Sequence, residues 1–272
     1  MPIRLDLPAT FAERLRASDR ALIGLWACAG SPITAEIMAS SGCDWVLLDA
    51  EHSPNGLESV LAQLYAMSAY PVAPLVRPPQ GDTVIIKQFL DLGAQNLLIP
   101  MVDTAEQAAE IVRAVRYPVD GVRGVGSALA RSARWNRVDG YLQRADETIS
   151  LTVQIESATA VSNVESIVAV DGVDAIFVGP SDLAASMGHL GQQSHPEVVA
   201  GVLRSIEAGR AAGKPVGVNA FVPADAERYI EAGAAFVAVG ADVAMLARQS
   251  EALVDRFVPE DGSASASPRG SY

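Results

Sequence analysis

Apolar residues gather along the chain in short runs of Val, Ile, Leu and Ala, and helical patterns lie between them. The runs are ALIGLWA (21–27), WVLLDA (45–50), APLVR (73–77), NLLIPM (96–101), SLTVQIE (150–156), AIFVGP (175–180), KPVGVNA (214–220) and FVAVGAD (236–242). Most are continuous in apolarity rather than alternating, which is how a strand reads when both faces are buried, as in a parallel sheet. Between the early runs the pattern predicts helices over 32–41, 55–68, 81–92 and 104–116. Asn55, Asp82 and either Asp103 or Thr104 are placed to cap helix starts, and Gly42, Gly93, Gly213 and Gly233 to close helix ends. Eight such units in one chain of 272 residues match a single-domain α/β protein, a (β/α)8 TIM barrel, which needs roughly 250 residues. A doubly wound sheet would need a switch point in strand order, and the pattern shows none.

The spacing is uneven. The interval from 96 to 150 is about twice the others, and its extra segment, 117–147, is too polar and glycine-punctuated for another strand-helix unit. Such an excursion on a compact scaffold is functional or interfacial; Arg123, Arg131, Arg134 and Trp135 suit it to an interface. A smaller excursion covers 185–197. The barrel is expected over 1–258, and 259–272 reads as a low-complexity, mobile tail.

Charge narrows the partners. Twenty Lys and Arg against 32 Asp and Glu give −12, which argues against binding nucleic acid or anionic lipid and leaves room only for a local basic pocket. Two cysteines, Cys28 and Cys43, make no disulfide framework. The first twenty residues are polar, and no run of 18 uncharged apolar residues follows, so a cytoplasmic protein without membrane association is expected.

In such a barrel the chemistry lies where strands end. Asp49, Glu51 and His52 follow the second run, Arg77 ends the third, Gln154 and Glu156 flank Ile155 on the fifth, and Ser181 and Asp182 follow Gly179-Pro180 after the sixth. Asn219 ends the seventh run and Asp242 the eighth. Alternate strand residues share a face, so Gln154 and Glu156 point inward together. A buried carboxylate must be met by a cation, and with Asp182 one strand along, a divalent ion such as Mg²⁺ or Mn²⁺ fits; a Glu–Arg ion pair at the barrel's bottom is the alternative. Asp49 and His52 are spaced for a dyad in which the carboxylate fixes the imidazole, against the plainer reading of a solvated loop histidine. Arg77 reads either as an anchor for a carboxylate or enolate oxygen or as an ion-pair partner of Asp49 or Glu51. His189 and His195 read as solvated loop residues. Lys214 opens its strand at the barrel's bottom and Lys87 belongs to a helix's solvated side, so Schiff-base chemistry is disfavoured. Cys28 reads as packing.

These residues sit in segments that resemble a known family. WVLLDAEHSPN (45–55), PLVRP (74–78), IKQFLDLGAQNLLIPMV (86–102), GVRGVGSALARSARWNR (121–137), VQIES (153–157), VDAIFVGPSDLAASMG (173–188) and FVAVGAD (236–242) are similar to the HpcH/HpaI family of metal-dependent (class II) pyruvate aldolases, nearest its heptanedioate and hydroxyketoacid branches. The resemblance covers about residues 20 to 257 in the family's motif order. It implies a (β/α)8 barrel whose last helix swaps between subunits of a homo-oligomer, usually a hexamer. It implies that Glu156 and Asp182 hold Mg²⁺, Mn²⁺ or Co²⁺, that Arg77 stabilises an enolate, and that Asp49 and His52 form the dyad. Gln154 stands beside the metal, and the backbone from Gly179 through Pro180 and Ser181 to Asp182 takes the pyruvate carboxylate. Trp26 and, from a neighbouring subunit, Val125 line the aldehyde end. Ser181, Asn219 and Phe221 depart from the pattern near that end and bear on which aldehyde is used. The implied reaction is reversible aldol cleavage of a 4-hydroxy-2-oxo acid to pyruvate, or a related 2-oxo acid, and an aldehyde. A lyase or decarboxylase on the same scaffold and a catalytically dead regulatory barrel are the rivals.

Overall fold

Each of the eight apolar runs forms a strand. In the structure, a computed structural model describing residues 3–258, these are β1 (Leu22–Ala27), β2 (Trp45–Asp49), β3 (Ala73–Arg77), β4 (Asn96–Ile99), β5 (Ser150–Ile155), β6 (Ala175–Val178), β7 (Val216–Asn219) and β8 (Phe236–Ala241). All neighbours are parallel, they follow chain order, and β8 closes on β1. The expected (β/α)8 barrel is therefore the fold. The segment from Pro259 lies outside the described residues.

The helices are α1 (Phe11–Ala17), α2 (Pro32–Ala39), α3 (Leu57–Met67), α4 (Thr83–Asp91), α5 (Ala105–Val115), α6 (Ala158–Ser162), α7 (Val164–Val168), α8 (Pro180–Ser186), α9 (Pro196–Ala211), α10 (Pro223–Glu231) and α11 (Asp242–Phe257). Asp82 caps α4 by accepting from the N–H groups of Val84 and Ile85, and Thr104, not Asp103, caps α5. All four predicted closing glycines have left-handed backbones, where a Cβ would be strained. Asn55 does not cap α3, whose N-cap is Gly56. It is a tie instead: its amide donates to the carbonyls of Ala27 (3.3 Å) and Asp49 (2.6 Å), so it joins the ends of β1 and β2.

Strand side chains divide between two layers. Val153 and Ile155 face the helices with Val46, Leu48, Val76 and Ile176. The barrel interior holds Trp26, Trp45, Leu47, Leu75, Phe177 and Phe236. At the N-terminal end α1 plugs the barrel: the N–H of Phe11 donates to Asn96 Oδ1 (2.7 Å) and that of Ala12 to Ser150 Oγ (3.2 Å). Lys214 is at this end, donating to the Val170 carbonyl, as read from the sequence. Lys87 is partly covered rather than solvated, because the excursion lays Gly124 over its stem.

The 117–147 excursion contains three 3-10 turns and no strand. Arg123 does not face an interface. It is fully buried in its own subunit, donating to Asp91 Oδ1 (3.1 Å) and Tyr141 Oη (3.4 Å) with its guanidinium 4.6 Å from the Tyr117 ring centre. Arg131 likewise turns inward, over the Tyr65 ring and onto the Leu92 carbonyl, while Trp135 is half exposed. At the far end, α11 buries only Asp242 and exposes Leu246, Leu253 and Phe257. Among the described residues no helix is long and apolar enough to cross a membrane.

Candidate active site

Because every strand runs the same way, eight strand ends meet at one rim. They enclose a cavity of about 570 Å³ lined by most of the residues singled out from the sequence: Trp26, Asp49, His52, Arg77, Gln154, Gly179, Pro180, Ser181, Asp182 and Asn219. Phe221 lines it too. Val125 does not; it is exposed on the excursion, away from this subunit's cavity.

Arg77 organises the floor of the mouth. Its Nε donates to Asp49 Oδ1 (2.9 Å), Nη1 lies 2.9 Å from Glu51 Oε2 outside hydrogen-bond alignment, and Nη1 donates weakly to Gln154 Oε1 (3.4 Å). The guanidinium also lies 4.4 Å from the Trp26 ring centre. Both sequence readings of Arg77 hold geometrically: it is ion-paired, and it faces the cavity. Burial disfavours its charge, but the Asp49 bond and the charges of Asp49, Glu51 and Glu156 outweigh that and raise its pKa. Burial also pushes against the Asp49 carboxylate, and Arg77 overcomes it, leaving Asp49 below its ordinary value.

The expected Asp49–His52 dyad is not formed as drawn from the sequence. Asp49 Oδ1 is taken by Arg77 and by the Glu51 N–H (3.0 Å), and no hydrogen bond joins its side chain to the imidazole. The His52 ring is 65 % exposed, with Nε2 3.8 Å from Glu51 Oε2. Spacing along a chain gives proximity of backbones, not ring orientation, and the tight turn after β2 sends Asp49 inward and His52 outward. Glu51, half-buried between Arg77 and His52, is the ion-pair partner read for Arg77 and also the acid nearest the imidazole.

Gln154 and Glu156 point inward, as alternation requires, and both are buried. Glu156 accepts a 2.7 Å bond from the Met101 N–H. Met101 follows β4 in the left-handed region at φ 56°, a conformation that costs an L-residue roughly 1–2 kcal/mol and here aims its N–H at the carboxylate. That contact is not enough. Burial, then the like charges of Glu51 and Asp182, push the Glu156 carboxyl up to about 8. Glu51 is raised too, by burial first and then by the charges of Asp49 and Asp182, against the pull of Arg77 and His52. Gly179 lies against the pair: a Cβ there would come within 2.8 Å of both Gln154 Nε2 and Glu156 Oε2, so any larger residue would displace these side-chain ends. It is the N-cap of α8, with Pro180 buried at the first helical position and Asp182 exposed in the first turn. The first N–H groups of a helix have no intrahelical partner and face outward from its start.

The donor set fits a hard divalent cation. Glu156 is a desolvated carboxylate whose like-charged neighbours Arg77 offsets only in part, Asp182 adds a second on the rim, and all candidate ligand atoms are oxygen. Two further polar atoms, Trp26 Nε1 and Asn219 Oδ1, are buried in the cavity wall without a protein partner. Gln193, Asp225 and Tyr229, which the sequence reading missed, complete the wall; Gln193 donates to Ser181 Oγ at 2.7 Å. Asp242, flagged as a strand-end acid, is instead a brace: it accepts from the N–H groups of Cys28, Ala29 and Val243 and from Thr34 Oγ1.

Residues 22–248 match the model of the HpcH/HpaI aldolase/citrate lyase family. The chain is 53 % identical over 254 residues to a hydroxypyruvate/pyruvate aldolase of Pseudomonas aeruginosa, covering 93 % of this chain and 94 % of that one. It is 50 % identical over 257 residues to a 4-hydroxy-2-oxo-heptane-1,7-dioate aldolase of Salmonella dublin, covering 94 % and 97 %. Its fold is similar to the crystal structure of a family protein from Burkholderia cenocepacia, with a TM-score of 0.86, 42 % identity, and coverage of 90 % and 97 %.

Proposed function

The chain belongs to the HpcH/HpaI aldolase/citrate lyase family, and from that premise we propose that it is a carbon–carbon lyase. It cleaves a 4-hydroxy-2-oxo acid reversibly to pyruvate, or a related 2-oxo acid, and an aldehyde. The observation that carries this is the buried mouth, where Arg77 and an uncompensated Glu156 adjoin an apolar-walled cavity open to solvent.

Glu156 and Asp182 would hold the cation, with Mg²⁺, Mn²⁺ or Co²⁺ suited to their oxygen donors. When bound, it supplies Lewis-acid stabilisation of the negative charge that develops on the substrate's keto oxygen. The protein's own groups do the rest. The outward N–H groups at the start of α8, past Gly179 and Pro180, receive the substrate carboxylate. Gln154 orients the 2-oxo acid from the floor. Arg77, held immobile by Asp49 and Glu51, places fixed positive charge beside the developing oxyanion at no cost of reorganisation. His52, exposed at the rim, takes the proton of the 4-hydroxyl directly or through water, with Glu51 as the nearest acid to steady its ring and Asp49 setting Arg77. Breaking the C3–C4 bond then leaves its electron pair on the enolate, the aldehyde departs, and C3 takes a proton. Trp26, Asn219 and Phe221 wall the side where the aldehyde sits.

The exposed apolar face of α11 supports a homo-oligomer, a hexamer in the family pattern, in which this helix packs on a neighbour and Val125 reaches a second subunit's cavity. Small anions and aldehydes, not nucleic acid or membranes, are the partners.

The test separates this route from the imine route. Prolonged EDTA treatment should abolish aldol cleavage, and Mg²⁺, Mn²⁺ or Co²⁺ should restore it. Borohydride with pyruvate should trap no adduct, since neither Lys87 nor Lys214 lines the cavity. A pyruvyl-lysine adduct by mass spectrometry, or full activity after verified metal removal, would overturn the proposal. Oxaloacetate decarboxylation with no activity toward any aldehyde would favour the decarboxylase alternative.

A further inference from the structure

Two of the chain's three histidines stand together outside the mouth. The rings of His189 and His195 stack with centroids 3.5 Å apart and planes 18° apart. Glu197, in the first turn of the 16-residue α9, joins them, with His189 Nε2 3.0 Å from Glu197 Oε2. One ligand-capable atom from each side chain lies within 4.8 Å of the others, and among the described residues no other trio of His, Cys, Asp or Glu converges this closely. His189 and His195 are half-buried while Glu197 opens to solvent, so the cluster has a protein side and an entry path.

The chemistry of this trio differs from that of the mouth. Two imidazoles and one carboxylate are the donor set of three-ligand zinc sites that leave a fourth position for water. Imidazole favours Zn²⁺, Cu²⁺ or Ni²⁺ over the hard ions that all-oxygen sites take. Tetrahedral ligands at zinc distances are about 3.4 Å apart, so an ion would have to draw these atoms together and turn the stacked rings until their nitrogens converge. Two features oppose it. Glu197 N–H donates to His195 Nδ1, and a helix N-terminus repels cations. The first is a long bond of 3.3 Å, easily surrendered, and the second is roughly half an elementary charge against the full charge of the Glu197 carboxylate.

We propose that His189, His195 and Glu197 form a second cation site, selective for a Zn²⁺-like transition-metal dication. It clips the 185–195 segment to the start of α9. The segment carries Gln193, whose amide donates to Ser181 Oγ, and both line the cavity; Ser194 is fastened to Asp225 on the same wall. A cation at the clip therefore fixes one wall of the substrate cavity without touching substrate.

With only three histidines, imidazole counting assigns the site. Full-length protein with its mouth saturated by Mg²⁺ receives one equivalent of Cu²⁺, and electron spin-echo modulation from the remote imidazole nitrogens is recorded. Two coordinated imidazoles are expected, displaced only by a large excess of Zn²⁺, since Cu²⁺ binds such donors more tightly. His189→Ala and His195→Ala should each leave one, and Zn²⁺ affinity by calorimetry should fall at least as much as when a supporting partner is lost, roughly 10–100-fold. His52→Ala should leave both. A spectrum with one imidazole or none, two imidazoles persisting in His189→Ala or His195→Ala, or loss of one in His52→Ala would overturn the proposal.

Discussion

The two ends of the barrel are built from the same strands and hold opposite kinds of interior. At the N-terminal end Phe11, Trp45, Phe177 and Phe236 form a plug of tilted and edge-on rings, with Phe11 and Phe236 at 5.1 Å and 84°. Its polar groups are met within the protein: Trp45 Nε1 donates to the Leu22 carbonyl, and Asn96 accepts from Phe11 and donates to Pro74. At the C-terminal end Glu156 is buried beside like charge, and Trp26 Nε1 and Asn219 Oδ1 are orphaned. The floor is complete by itself, whereas the mouth is complete only with a ligand. The same division between stabilising bottom and reactive top is general to this architecture, and here it can be read atom by atom.

The comparison breaks most severely at Arg77. Arg77→Ala would leave the buried Asp49 and the half-buried Glu51 beside an empty space, and removing one partner of a buried pair such as Arg77–Asp49 costs about 3–5 kcal/mol. We expect a lower denaturant midpoint and no measurable turnover. Arg77→Lys should recover part of the stability and little of the rate, since a point charge cannot serve Asp49 through Nε and Glu51 through Nη1 together. Unchanged stability in Arg77→Ala would mean that the mouth is not charge-locked.

His52 tests the mouth without disturbing its locks, because the ring is on the rim. His52→Ala should lower turnover in aldol cleavage by about 10²–10⁴-fold while pyruvate binding by calorimetry survives. Near wild-type turnover would remove His52 from the proton path.

The floor should give the reverse pattern. Gly24 on β1 faces Trp45, and a Cβ there would fall 2.1 Å from the indole. Gly24→Ala should therefore destabilise by about 1–3 kcal/mol or more, as overpacking does, while the folded fraction keeps its kcat. A variant with wild-type stability and lost turnover would erase the distinction between the two ends.

Much of this was legible in one sequence because it follows from local pattern. Apolar runs, most of them continuous, marked all eight strands, and period-two alternation turned Gln154 on β5 and Glu156 just past it inward together. What escaped depends on side-chain direction or on contacts between distant segments. The spacing of Asp49 and His52 suggested a dyad, yet the turn sends one inward and the other out. Asn55 had the look of a cap and is a tie between β1 and β2. Arg123 read as an interface residue because it belongs to a set of arginines and a tryptophan in one long polar excursion, but Asp91, Tyr117 and Tyr141 enclose it. The His189–His195 stack had no sequence signature, since a loop must fold back before two residues six apart meet face to face.

The smallest effect is expected at Cys28, which follows β1 and lines the cavity without an assigned role. Burial, reinforced by the charges of Asp49 and Asp242, pushes its thiol up to about 12. A thiol ionises above its pKa, so at pH 8 only about one molecule in ten thousand carries the reactive thiolate, compared with roughly a quarter for an ordinary cysteine. In a Cys43→Ser background, iodoacetamide at pH 8 should label native Cys28 orders of magnitude more slowly than the unfolded chain, and the rate should rise about tenfold per pH unit while the fold persists. Cys28→Ala should keep its turnover, since the side chain gives no hydrogen bond to the Arg77 cluster. Labelling at the rate of a free thiol, or turnover lost with Cys28→Ala, would show that the mouth uses this sulfur and that the division between its reactive carboxylates and its passive wall is drawn in the wrong place.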